Sequence, residues 1–144
     1  MGEAREVFDR ETEAVFTTRD LKAAAELYAE EVVAVTPDQG EISGRQRIVE
    51  WHKQFMDAFP DARYQSERKY ESGNVAINEG SVVGTNTGPI SAASGETIPA
   101  TGREINLRAC DIAEVQGGVI VAHRFYFDQM AFLGQLGLLP DMPG

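Results

Sequence analysis

A chain of 144 residues, 42% hydrophobic, has the size of one domain with one core, and its 23 acidic against 13 basic residues leave a formal charge of −10. That charge repels nucleic-acid phosphates and anionic membrane surfaces, so neither is expected as a partner. Cys110 is the only cysteine, which excludes an internal disulfide and a cysteine-based metal cluster. Charges are spread through the first twenty residues and no apolar run is long enough for a signal or membrane segment, so a soluble, unprocessed, cytoplasmic protein is expected.

In chain order, Val7, Phe8, Val15 and Phe16 recur at helical spacing and predict an amphipathic helix from Glu3 to Phe16. Asp20, placed before Leu21, Ala24, Ala25 and Tyr28, predicts the N-cap of a second helix. The β-branched run Val32 to Thr36 before Pro37 predicts a strand. Ser43 and Gln46 have capping-box spacing ahead of Ile48, Trp51, His52, Phe55 and Phe59, which predicts a third helix ended by Pro60. Trp51 and Phe55 then read first as core anchors, and His52 has a weaker claim to catalysis.

Beyond Pro60 the period changes to two. Segments 62–70 and 75–87 predict strands around the turn Ser72-Gly73-Asn74, and segments 103–115 and 119–127 predict two longer strands joined at Gln116-Gly117-Gly118. Residues 88–102 have no periodicity and predict a long loop at a site or interface. Three helices followed by antiparallel hairpins describe an α+β domain whose curved sheet wraps its apolar face around the helices, and the concave mouth of such a layer suits a small hydrophobic molecule.

One carboxylate stands in apolar company: Asp128, among Phe125, Tyr126, Phe127, Met130 and Phe132. Pointing inward, it would lose solvation and have a raised pKa, as a general acid or base needs; it is equally placed to cap segment 129–138. Arg124, Tyr126 and Asp128 share one face of an unbulged strand, with His123, Phe125 and Phe127 on the other. One reading gives Asp128 proton transfer, Tyr126 a donated hydrogen bond and Arg124 an anion clamp. The other is an Arg–Asp ion pair at a sheet edge with Tyr126 as packing. His52 and His123 are the only histidines and lack ligand spacing, so no metal is expected; no glycine-rich phosphate loop follows a strand, and Cys110 reads as a small core residue.

Leu27-Tyr28-Ala29-Glu30-Glu31, Gly44-Arg45 with Ile48, Gly84-Thr85-Asn86-Thr87-Gly88-Pro89, Thr101-Gly102-Arg103, the glycine hairpin, and Asp128 with Gln135-Leu136-Gly137 occur in an order that resembles the SnoaL-like polyketide cyclase family. This family falls within the ketosteroid isomerase-like and nuclear-transport-factor-like superfamily. The resemblance implies a cone-shaped fold over residues 1–144, a cofactor-free pocket, a homodimer formed through the exposed sheet face, and Asp128 as the group that moves a proton on a polyketide-like ester or ketone. Tyr28, Trp51, Phe55, Asn86, Arg124 and Tyr126 are the residues expected to contact substrate. Asn86 stands where the family pattern has a histidine, and an amide orients an oxygen without carrying a proton.

Asp111 matches the place where the isomerase branch keeps an oxyanion-stabilising aspartic acid, so it joins Asp128 as a second catalytic residue. That branch's general base would fall near Thr36, and its first-helix tyrosine has no counterpart around Glu11 to Val15, so steroid isomerisation is not expected. Epoxide hydrolases of the superfamily bridge two aspartates with an arginine. Here Arg108 and Asp111 sit on opposite faces, leaving Arg124 as the one bridge. A non-catalytic ligand-binding or dimerising module is the alternative from a different class.

Overall fold

The computed structural model describes residues 2–139; Met1 and the last five residues lie outside that range. Helix α1 spans Glu3–Thr12, with Val7 and Phe8 buried, and runs on into a π-helical turn, Glu13–Thr17. The predicted first helix is therefore one helical run with its last turn widened. Asp20 caps α2, Leu21–Glu26, its carboxylate accepting from the Ala23 N–H at 3.0 Å, as its sequence position predicts.

The second predicted helix stops before Tyr28, which opens strand β1, Tyr28–Thr36. Tyr28, Val32, Ala34 and Thr36 are buried along it. A short strand absent from the sequence reading, β2 (Gly40–Ser43), folds back on β1. Ser43 consequently pairs with Val33 and forms no capping box: α3, Arg45–Ala58, is capped by Gly44 at φ 99°, a conformation in which a Cβ would be strained.

Strands β3 (Arg63–Ser72), β4 (Val75–Thr85), β7 (Glu104–Gln116) and β8 (Val119–Phe127) form the antiparallel body of the sheet. Its order is β2-β1-β8-β7-β4-β3, and the β1–β8 pair alone is parallel. The β7–β8 turn holds Gly117 and Gly118 at φ 60° and 81°, so both positions need glycine. The predicted loop 88–102 carries a small ribbon, β5 (Ile90–Ser91) with β6 (Thr97–Ile98).

Helix α4, Gln129–Gln135, closes one end of the sheet. Gln135 pins it there by accepting from the Asn106 N–H at 2.7 Å and donating to the Asn106 carbonyl at 3.1 Å, which gives β7 the pairing another strand would have supplied. One core cluster joins α1 and α3 to β1 and β8 through Phe8, Tyr28, Val32, Ile48 and Ile120. A second gathers Phe59, Ile105 and Leu136 with Phe16, Phe55 and Phe132 around it. The hollow opens between the two. No helix among the described residues is long and apolar enough to cross a membrane.

Candidate functional site

The hollow has a volume of about 140 Å³ and a lining dominated by Phe16, Trp51, Phe55, Phe59, Leu107, Phe125, Phe127 and Phe132. Its volume is close to the roughly 150 Å³ that suffices for one benzene ring. Trp51 and Phe55 reach it from α3 because they follow Ile48 at helical spacing; Trp51 packs on Phe125 with centroids 4.7 Å apart, and Phe55 stacks on Phe59 at 4.8 Å. The Trp51 indole N–H points to both oxygens of Asp38, at 3.3 and 3.2 Å, tying the turn after β1 to the wall.

On β8 it is Phe125 and Phe127 that line the hollow, with His123 fully buried behind the lining on the same strand face, the reverse of the assignment that made Asp128 catalytic. Asp128 is exposed, caps α4 by accepting from the Ala131 N–H at 3.0 Å, and does not line the hollow. Arg124 forms its ion pair with Glu114 rather than with Asp128. Burying three aromatic or imidazole rings outweighs burying a guanidinium, a phenol and a carboxylate, and that choice sets which face turns in. Tyr126 is 53% exposed at the rim. With Arg124 held by Glu114, Arg108 exposed and Asp128 outside, no arginine among the described residues bridges two aspartates as an epoxide hydrolase requires.

Asn86 is also displaced from its expected role. It is fully buried behind the lining, donating to the carbonyls of Ala58 and Gly88 at 3.0 and 2.9 Å and accepting from the N–H and hydroxyl of Thr101 at 2.7 and 3.0 Å. It fastens the start of the 88–102 segment to the end of α3.

Asp111 does face the hollow, from mid-β7, and one of its oxygens, Oδ2, lies 2.8 Å from Nε2 of fully buried His123. Oδ1 makes no hydrogen bond to another described residue. On its far side His123 Nδ1 lies 2.8 Å from the hydroxyl of Tyr28. That hydroxyl in turn lies 3.2 Å from Glu11 Oε1 and 3.1 Å from His52 Nε2. Phe125 stacks on the His123 ring at 3.9 Å and Phe8 meets it edge-on at 5.1 Å, which excludes water from this chain of polar groups.

Tyr28 thus serves the site from beneath its wall, while Glu11 and His52 border the hollow themselves. Glu11 carried a legible signal: a carboxylate four residues after Val7, three after Phe8 and four before Val15 falls on the inward helix face. His123 carried a weaker one, alternating with Phe125 and Phe127.

Burial pushes the Glu11 carboxyl up to about 7 from an ordinary 4.5, with the Asp111 charge adding to this and His123 opposing it. Burial, reinforced by His123, pushes His52 down to about 3 from 6.5, and Tyr28 is raised well above its ordinary value by burial and the Glu11 charge. The unfolded chain releases the Glu11 proton first, so between pH 4.5 and 7 the folded state holds more protons and stability falls as pH rises. His52 acts oppositely, because between pH 6.5 and 3 the unfolded chain takes up the proton first and stability falls as pH drops. In urea unfolding, Glu11→Gln is expected to gain stability relative to the parent as pH rises from 4.5 to 7; a difference independent of pH would contradict a raised Glu11.

Two further polar atoms on the lining are buried with no hydrogen-bond partner among the described residues: the hydroxyl of Tyr64 and Oε1 of Gln129. Burial raises the Tyr64 pKa, so its O–H stays protonated and available to donate. Among the described residues no cluster of His, Cys, Asp and Glu could hold a metal ion. Cys110 is a half-buried free thiol whose pKa is raised by burial.

The fold is shared with solved structures of low sequence identity. A SnoaL-like polyketide cyclase from Jannaschia sp. CCS1, so named as a candidate, superimposes with TM-score 0.83 at 14% identity, covering 96% of this chain and 94% of that one. IdmH of Streptomyces antibioticus, named as a candidate polyketide cyclase, gives 0.77 at 21%, covering 94% and 99%. AclR of Streptomyces galilaeus, named as a candidate hydroxylase, gives 0.79 at 20%, covering 98% and 89%. These establish the architecture alone, which includes neighbours described as ketosteroid isomerase-like and NTF2-like. No curated protein matches the sequence. The family profile for SnoaL-like polyketide cyclases matches residues 6–136, nearly the whole described chain, and the protein belongs to that family.

Proposed function

We propose that the protein is a cyclase- or isomerase-type enzyme that moves a proton, without a cofactor, on a small hydrophobic carbonyl compound of polyketide type, with Asp111 as the acid–base group. The observation that supports this most is the Asp111 carboxylate, set in an aromatic hollow with one oxygen engaged by buried His123 and the other open to a ligand. A general base needs this geometry: a carboxylate oriented from behind and presented to the reacting carbon from a largely dry wall. The Tyr64 hydroxyl supplies a donor for a carbonyl or enolate oxygen, and Gln129 Oε1 accepts from a ligand hydroxyl. Trp51 and Phe55 form the apolar slot for a ring.

The test is deuterium uptake at the α-carbon of single-ring aryl ketones in D₂O, followed by proton NMR. Uptake accelerated over buffer and dependent on Asp111 is expected. Binding without any acceleration would instead favour a non-catalytic ligand-binding module. The Trp51 indole reports occupancy independently: a ketone entering the hollow is expected to change its fluorescence, and Trp51→Ala to weaken binding about tenfold, in keeping with the loss of a buried aromatic contact. A homodimer belongs to the same proposal, because Val33, Val35, Tyr70 and Tyr126 are exposed. Light scattering at micromolar concentration checks it.

A further inference from the structure

Resting on the acid–base reading just given, we infer that Glu11 is a second proton-transfer residue at the hollow, joined to Asp111 by a closed relay through His123 and Tyr28. A phenol has one hydrogen to donate and two lone pairs to accept with, and the Tyr28 oxygen has three polar neighbours: Glu11 Oε1, His52 Nε2 and His123 Nδ1. His52 is kept neutral by burial, and in the tautomer that the relay requires, with its hydrogen on Nε2, it donates to the Tyr28 oxygen. One neighbour of the remaining two must then donate to Tyr28 and the other accept from it.

Three arrangements of the same net charge satisfy every contact. In one, the midpoint of the relay, cationic His123 donates to both Asp111 and Tyr28 while Tyr28 donates to ionised Glu11, and the other two hold the shared proton on a carboxyl. In the first of these two, the carboxyl of Asp111 is protonated and donates to His123 Nε2, His123 Nδ1–H donates to Tyr28, and Tyr28 donates to ionised Glu11. In the second, Asp111 is ionised and accepts from His123 Nε2–H, Tyr28 donates to His123 Nδ1, and protonated Glu11 donates to Tyr28. Passing from the first to the second moves three protons one step each: Asp111 Oδ2 to His123 Nε2, His123 Nδ1 to Tyr28 O, and Tyr28 O to Glu11 Oε1. No bond other than O–H and N–H changes, and the site's charge is constant throughout.

With the shared proton gone, so that Asp111 and Glu11 are both ionised and His123 is neutral, the two hydrogens left on Tyr28 and His123 serve three contacts, and one contact sets a lone pair against a lone pair in a dry interior. The geometry therefore retains one shared proton. The groups that face Glu11 are Tyr28 from β1, His52 from α3, His123 from β8 and Asp111 from β7, and its raised pKa near 7 agrees with the carboxyl holding that proton for part of the time near neutrality. Because Glu11 and Asp111 both border the hollow, a proton taken from a ligand at Asp111 can be returned to it from Glu11 without exchange with bulk water. Such a return suits a reaction that deprotonates carbon and protonates oxygen elsewhere on one molecule.

The experiment is a pH titration of the wild-type protein by NMR, with ¹³C on glutamate carboxyls and ¹⁵N on histidine rings, beside Tyr28→Phe. In the parent, the Glu11 carboxyl is expected to titrate near 7 with both His123 nitrogens shifting in the same step. In Tyr28→Phe, His123 is expected to stop following Glu11. A Glu11 midpoint in the ordinary carboxylate range, or a His123 ring unmoved while Glu11 titrates, overturns the relay and needs no variant to fold. The two proposals separate cleanly: ketone deuteration that needs Asp111 but shows no coupled titration removes the relay alone. Coupled titration in a protein that deuterates no ketone removes the enzymatic reading.

Discussion

Asp111→Asn is expected to lower deuterium uptake into a bound aryl ketone by about 10²- to 10⁴-fold, the range that a positioned general acid or base contributes. Affinity for the ketone should change by only a few-fold, since the amide keeps the size of the carboxylate and still accepts from His123. Asp128→Asn provides the contrast. Asn is as good an N-cap as Asp, so this variant should keep its uptake within about twofold and its stability within a few tenths of a kcal/mol. Asp128→Ala, which removes the oxygen that accepts from the Ala131 N–H, should cost about 1 kcal/mol of stability. If Asp128→Asn abolished uptake while Asp111→Asn left it intact, the site described above would be wrong, whatever the fold.

The largest stability loss is expected at Asn86. Its amide makes two donated and two accepted hydrogen bonds, all to groups on segments that would otherwise part: the end of α3, Gly88 and Thr101. Asn86→Ala leaves the Thr101 N–H without its partner, at about 1–3 kcal/mol, and leaves the Ala58 carbonyl with the Gly88 N–H at 3.2 Å in place of two donors, so a loss of about 2 kcal/mol or more is expected in urea unfolding. Gly88→Ala should act in the same direction, because a Cβ there would sit 1.9 Å from the Asp57 carbonyl oxygen and push the two segments apart. A change below 1 kcal/mol in Asn86→Ala would return this residue to the role of a ligand contact that its place in the family pattern suggests.

A local rule that meets no competitor decides its element. Asp20 caps α2, the glycine pairs make the β7–β8 turn, and the period-two runs after Pro60 become the sheet. Where two local rules give different answers, tertiary pairing decides. Ser43 and Gln46 spell a capping box, yet pairing Ser43 with Val33 satisfies backbone groups that the box would have left open, and β2 forms instead. Tyr28 suits the end of a helix by composition, but its hydroxyl finds its partners only as the first residue of β1.

What the sequence determined by itself was the α+β class, the family pattern and the presence of a hollow, because each follows from periodicity, turn chemistry and order along the chain. Only the tertiary structure decided which carboxylate the hollow receives. Alternation along β8 sorts the residues into two faces without saying which is buried, and the side bearing His123, Phe125 and Phe127 turned inward because rings lose less by leaving water than Arg124 and Asp128 would. The meeting of Glu11, Tyr28, His52, Asp111 and His123 lies further still from sequence, since it joins α1, β1, α3, β7 and β8 around one hydroxyl, and nothing in the spacing of these residues encodes that convergence.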